Sequence, residues 1–133
     1  MSTYPQPRED AINAPLLAAW REGRLALQRC KGCGKAIYYP RPMCPFCWSE
    51  ALEWFEASGR GRIVSYSLVF KPHNEAFDNE LPVILVEVEL EEKALMLSRI
   101  VGAKPESVQS GLKVTLVPMP DAKRYPLPTF VLA

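Results

Sequence analysis

The 133 residues carry sixteen Lys and Arg against fifteen Asp and Glu, a net charge of +1, and 48% of them are hydrophobic. A balance so close to zero argues against a nucleic-acid strand as the main partner, because phosphate backbones select strongly basic surfaces. No run approaches the roughly 18 apolar residues of a membrane span, and MSTYPQPRED has no basic stretch followed by an apolar one, so neither a membrane segment nor an export signal is expected.

Residues 1–12 read as an extended arm. Asn13 is placed to cap a helix that has Pro15 in its first turn, runs to Glu22 and stops at Gly23. Leu16, Leu17 and Trp20 give that helix an apolar side, so residues 1–24 form an arm and helix. The helix packs on its own fold or on a partner, with Trp20 as the anchor in either case.

Leu25–Arg29 then leads into Cys30-Lys31-Gly32-Cys33, and Ile37–Tyr39 returns as a strand. Pro40-Arg41-Pro42 turns the chain into Cys44-Pro45-Phe46-Cys47, and Leu52–Phe55 leaves it. Ser58-Gly59-Arg60-Gly61 breaks the pattern and sets the boundary between a ribbon, 25–57, and a second unit, 58–133. Five strands follow. Ile63–Phe70 alternates, with Val64, Tyr66, Leu68 and Phe70 on one face. Pro82–Leu90 places Ile84, Val86, Val88 and Leu90 on one side, with Glu87 and Glu89 on the other. Leu95–Val101, a helical turn at Lys104–Val108, Lys113–Met119 and Pro128–Leu132 complete the set. The thirteen prolines also limit helix. The fold class is therefore mainly β: an N-terminal helix, a rubredoxin-like zinc ribbon, then a five-stranded barrel of the OB type, with a sandwich as the alternative.

The four cysteines fall into two C-x-x-C pairs, a spacing that aims four thiolates at one ion. Cys30, Cys33, Cys44 and Cys47 are thus the candidate ligands of one structural Zn²⁺ per chain. A rubredoxin-like iron site is less favoured, because rubredoxin pairs lie farther apart and Trp48 stands where a second knuckle usually has Gly. Two disulfides require an oxidising compartment that nothing suggests, so a reduced cytoplasmic protein is expected. A ribbon of this size buries too little apolar surface to fold alone, and zinc supplies the difference, on the order of 10 kcal/mol in small zinc peptides. Arg29, Lys31, Lys35 and Arg41 flank the knuckles and can offset the thiolate charge.

Charge is unevenly divided. Residues 21–62 carry eight Arg and Lys against four Glu, and residues 71–99 carry three against seven acids. Catalytic signatures are missing: no G-x-S-x-G elbow, no phosphate-binding glycine loop, and one histidine, His73, in the Lys71–Pro82 loop. Glu87, Glu89, Glu91 and Glu92 read as a solvated face. With its thiols committed to metal, the chain is expected to be a poor enzyme on its own. The 71–82 loop, with Phe77, lies on the side where OB barrels commonly take ligands.

Taken together, Gly23-Arg24-Leu25-x-Leu27-Gln28-Arg29-Cys30-x-x-Cys33-Gly34, Tyr39-Pro40-Arg41-Pro42-x-Cys44-Pro45-x-Cys47, Ser58-Gly59-x-Gly61-x-Ile63-x-Ser65-Tyr66 and Pro105-Glu106-x-Val108-x-x-Gly111-x-x-Val114 resemble the zinc-ribbon plus OB-fold family of acyl-CoA-associated proteins. The resemblance covers nearly the whole chain. It implies a non-catalytic accessory subunit that scaffolds a thiolase-like or other acyl-CoA enzyme and helps to form its acyl-CoA site. One departure is the turn Glu91-Glu92-Lys93, which has no Gly where the family often has one. Coenzyme A carries a 3′-phosphate and a pyrophosphate, so Arg41, Arg60, Arg62 and Lys71 are the candidate residues for coenzyme A or acyl-CoA. Val83 and Leu85 are candidates for an apolar contact surface. The alternative is a single-stranded nucleic-acid-binding zinc-ribbon and OB protein, which the charge balance and the acidic second strand of the barrel disfavour.

Overall fold

The computed structural model describes residues 4, 6–71 and 80–133. His73 and Phe77 lie outside the described residues, so the reading of their loop has no structural counterpart here.

Helix α1 spans Ala14–Arg21 with Pro15 in its first turn. Asn13 supplies the first helical carbonyl, accepting from the Leu17 N–H at 3.1 Å, but its side chain turns backwards. Its Oδ1 accepts the Asp10 N–H at 2.8 Å and its Nδ2 donates to the Arg8 carbonyl at 2.9 Å. The helix ends where the Gly23 N–H reaches the Trp20 carbonyl and the Arg24 N–H reaches that of Ala19, the paired bonds of a Schellman stop.

Strands β1 (Ala26–Cys30), β2 (Ala36–Ile37) and β3 (Leu52–Glu56) form a small antiparallel sheet in the order β2-β1-β3. Strands β4 (Arg60–Val69), β5 (Val83–Leu90), β6 (Leu95–Ile100), β7 (Lys113–Leu116) and β8 (Phe130–Leu132) close a barrel in the order β4-β5-β6-β8-β7. The barrel settles the choice against a sandwich. Its weakest seam is between β6 and β8, which meet in parallel at the single pair Ile100 and Phe130.

The period-two reading of β5 holds: Ile84, Val86, Val88 and Leu90 are all at most 3% exposed. The pattern of β4 does not carry through. A bulge between Ile63 and Ser65 adds a residue to the strand. Ile63 therefore takes the inner position and is buried, whereas Val64 and Tyr66 are each 43% exposed and Phe70 is 62% exposed. Beyond the bulge, Tyr66 and Leu68 sit opposite Val86 and Ile84.

One apolar core runs through both units. Leu16 and Leu17 of α1, and Leu25 and Leu27 at β1, belong to the same buried cluster as Val88, Met96, Val114 and Phe130 of the barrel. Each fully buried side chain of this size is worth about 1.5–3 kcal/mol. Trp20 packs inside its own chain, against Val117, Ala122 and Tyr125, and its indole N–H donates to the Tyr125 carbonyl at 2.8 Å.

Candidate metal centre and flanking surfaces

Strand pairing positions the cage. Cys30 is the last residue of β1 and pairs with Leu52 of β3, so the first knuckle leaves the sheet at a fixed angle. The N–H of Lys31 reaches the Ala51 carbonyl at 2.8 Å, tying the first knuckle to the flank of the second, and the N–H of Cys44 reaches the Ser49 carbonyl at 2.8 Å, closing the second on itself. All four Sγ atoms lie within 4.8 Å of one another. Cys30 and Cys47 are 3.4 Å apart, Cys33 and Cys44 3.6 Å. A tetrahedral ion with Zn–S bonds of about 2.3 Å requires sulfurs about 3.8 Å apart, so the four thiols fit it. Four sulfurs complete the coordination of such an ion and leave no position for substrate.

The two knuckles repeat one backbone solution. The Gly34 N–H donates to the Cys30 carbonyl at 2.7 Å, and the Trp48 N–H donates to that of Cys44 at 2.9 Å. Gly34 does this at φ +78°, and Trp48 is forced to φ +68° with its ring 78% exposed. Trp48 thus stands in a conformation that suits glycine.

The electrostatics favour a cation at the centre. The Cys33 N–H donates to the Cys30 sulfur at 3.4 Å and is the main reason that thiol falls to about 6. Burial pushes the Cys44 thiol up, but N–H groups of Phe46 and Cys47 outweigh it and leave it lowered. The Ser49 N–H favours the Cys47 thiolate, yet the neighbouring thiols outweigh that and push it up to about 12. Negative charge piled on one cluster resists its last deprotonation unless a cation joins it.

The flanking cations are divided. Arg29 stacks over Phe55 at 4.3 Å from the ring centre, and Lys31 pairs with Glu53 at 3.8 Å. Arg60 pairs with Glu91 at 2.9 Å and Arg62 with Glu89 at 3.1 Å, both in the open on β4. Arg41 lines a separate cleft between ribbon and barrel. Lys71 lies past the other end of β4, whose run from Arg62 to Val69 spans about 23 Å at 3.3 Å per residue. Arg60 and Arg62 therefore share a groove, while Arg41 and Lys71 each sit elsewhere.

The outer face of the barrel is apolar at one end. Val83 is buried and Leu85 is 45% exposed; with Val69, Leu97, Tyr38 and Leu127 they line a groove of about 560 Å³. Leu95 and Leu97 add 52% and 64% exposed side chains, and the Leu97 N–H donates to the Tyr39 hydroxyl at 3.3 Å. Sequence reasoning singled out Val83 and Leu85 but not Leu95 and Leu97. The signal was there: Leu95-Met96-Leu97 is apolar on both faces, which a strand with one solvated face does not need.

Two family models cover the chain in succession. Residues 17–53 match the ChsH2 rubredoxin-like zinc ribbon domain and residues 54–117 match the ChsH2 C-terminal OB-fold domain. Among curated proteins, the chain is 32% identical over 126 residues to a probable enoyl-CoA hydratase alpha subunit of Thermomonospora curvata, covering 95% of this chain but only 39% of that protein. It is 32% identical over 94 residues to a DUF35 domain-containing scaffold protein of Pyrococcus furiosus, covering 71% and 68% of the two chains. It is 35% identical over 68 residues to the benzoylsuccinyl-CoA thiolase subunit BbsA of Thauera aromatica, 47% of each. Among solved structures, a chain of the Ltp2-ChsH2(DUF35) aldolase superposes with a TM-score of 0.79 at 31% identity, covering 96% of this chain and 98% of that one.

Proposed function

Because this chain belongs to the ChsH2 (DUF35) family of zinc-ribbon and OB-fold proteins, we propose that it is a non-catalytic accessory subunit of a thiolase-like acyl-CoA enzyme. In this reading the ribbon, 25–57, holds one structural Zn²⁺ on Cys30, Cys33, Cys44 and Cys47. The barrel, 58–133, seats the partner and helps to shape its acyl-CoA site. The reaction belongs to the partner, and both work in the cytoplasm.

The observation that carries the proposal is the group of exposed leucines on the outer face of β5 and β6, beside Glu87 and Glu89. Leu85 and Leu97 line an apolar groove and Leu95 lies two residues before Leu97 on the same strand, all three about half exposed or more, and exposed apolar side chains grouped in this way are characteristic of protein interfaces. The names of the relatives support the choice of partner. One relative is a scaffold protein, another a thiolase subunit, and the superposed chain comes from an aldolase. Of the residues assigned to coenzyme A, Arg41 is the best placed, because Arg60 and Arg62 already have carboxylate partners.

The test is co-expression with thiolase-like enzymes of the source genome, followed by light scattering on the eluted species. A stable complex that Leu85→Glu and Leu97→Glu both disrupt, without lowering the melting temperature of the free chain, supports the proposal. A chain that remains alone with every such enzyme, or a complex indifferent to both substitutions, rejects it.

A further inference from the structure

We propose that the cleft between ribbon and barrel binds a nucleotide bearing two phosphates, with Lys93 as its anchoring cation. This deepens the acyl-CoA reading above and rests on it only for which nucleotide is meant.

The cleft has a volume of about 620 Å³, within the range of small-molecule sites. Three cations line it: Lys35 and Arg41 from the ribbon and Lys93 from the β5–β6 turn. None of the three forms an ion pair among the described residues. The contrast with the neighbouring groove is sharp, since Arg60 and Arg62 are neutralised there by Glu91 and Glu89. Among the described residues Glu92 is the one carboxylate lining the cleft; its Oε2 accepts the Ser58 N–H at 2.8 Å, and its Oε1 is buried without a hydrogen-bond partner. Two exposed aromatic residues, Tyr39 at 46% and Phe46 at 57%, join the buried Tyr38 in the walls. Lys35 already lies over the Phe46 ring at 4.6 Å. Cations without a carboxylate partner beside exposed aromatic side chains suit a ligand with phosphates and a flat base.

Lys93 is the informative residue. It sits at φ +70°, in the turn where glycine would be unstrained. A lysine held there at a conformational cost is a reason to look for function rather than stability. It also lines the adjoining groove with Lys113. Arg41, on the ribbon side of the cleft, has its backbone fixed by the buried Gln28.

The experiment is calorimetric titration of the full chain, without any partner, with adenosine 3′,5′-bisphosphate, adenosine, and oligothymidylates of increasing length. The bisphosphate binds, and adenosine binds at least about tenfold more weakly, the loss of one or more charge-assisted contacts. Lys93→Gly weakens the bisphosphate about tenfold and raises the melting temperature by about 2–4 °C, because the strain is relieved. Lys93→Met weakens binding equally without that gain, separating charge from backbone. Equal binding by wild type and both variants overturns the proposal, as does no binding at millimolar probe. Affinity that climbs with oligothymidylate length also overturns it, in favour of a nucleic-acid strand. A failed partner complex has no bearing on these titrations, so the two proposals fail separately.

Discussion

Gln28 holds the main chain of Arg41 from both sides: its Oε1 accepts the Arg41 N–H at 2.8 Å, and its Nε2 donates to the Arg41 carbonyl at 3.0 Å. Gln28 is 5% exposed in the middle of β1. Pro40 and Pro42 flank the clamped residue and have no N–H of their own, so this clamp is what ties the Pro40–Pro42 segment to the sheet. Gln28→Leu keeps the bulk but leaves a donor and an acceptor unmatched, for a loss of about 2–4 kcal/mol. Urea unfolding measures it. Gln28→Glu, which sets a second acceptor against the Arg41 carbonyl and buries a charge, is no milder. Equal stability of wild type and Gln28→Leu would show that water replaces the clamp at no cost.

Metal removal tests the cage and its link to the barrel together. On the zinc reading, metal analysis finds about one zinc per chain. Chelation then lowers the melting temperature by more than about 10 °C, since the metal contributes on the order of 10 kcal/mol in small ribbons. Leu25 and Leu27 share a core with the barrel, so the apo protein loses ribbon and barrel stability in one transition. Cys30→Ser and Cys44→Ser, at the two buried ligands, have the same effect. Iron in the purified protein, or a chelated sample that melts unchanged, refutes the zinc assignment.

The parts legible in the sequence were those fixed by local periodicity or by ligand spacing. Val86 and Val88 announced their face because burial repeats every second residue. The cysteine pairs announced a shared centre because two turns of that spacing have few other uses. What stayed hidden depended on tertiary accidents of register. The bulge at Ile63–Ser65 moves Val64 outward, although its alternation reads as continuous. Trp20 satisfies its indole on the Tyr125 carbonyl, 105 residues away. The Glu91–Lys93 turn drew notice for lacking Gly, but only the backbone shows Lys93 taking the glycine conformation and lining the cleft.

Tyr38 gives the alkaline limit of stability. Its ring is 7% exposed; burial, with a smaller push from Tyr39, raises its phenol well above the ordinary value. In the unfolded chain that phenol titrates near 10. The folded form therefore retains a proton that the unfolded form has lost, and stability falls as pH rises above about 10, by about 1.4 kcal/mol per pH unit. Below pH 10 the contribution is fully present. Denaturant midpoints at pH 9 and pH 11 should diverge less in Tyr38→Phe than in wild type. Parallel curves for the two proteins would mean that Tyr38 ionises in place.

At Gly61, opposite Leu90, β4 and β5 leave no room for a side chain. A Cβ there would lie 2.5 Å from the Glu89 carbonyl oxygen and 2.8 Å from Val88 Cγ1. The obstacle is backbone, which cannot rotate away, and β4 is bonded on its other side to Val114 of β7. Gly61→Ala must therefore part the strands near the turn, at an expected cost of about 2–4 kcal/mol, in the range of core overpacking. Gly32→Ala is the control, since its nearest neighbour would be the Ser49 Cβ at 3.4 Å and it should cost less than about 1 kcal/mol. Amide exchange locates the damage: faster exchange at Val88 to Leu90 in Gly61→Ala, with the rest of β5 unchanged, identifies strand separation. If Gly61→Ala is as stable as Gly32→Ala, the barrel has more room at this corner than its geometry allows.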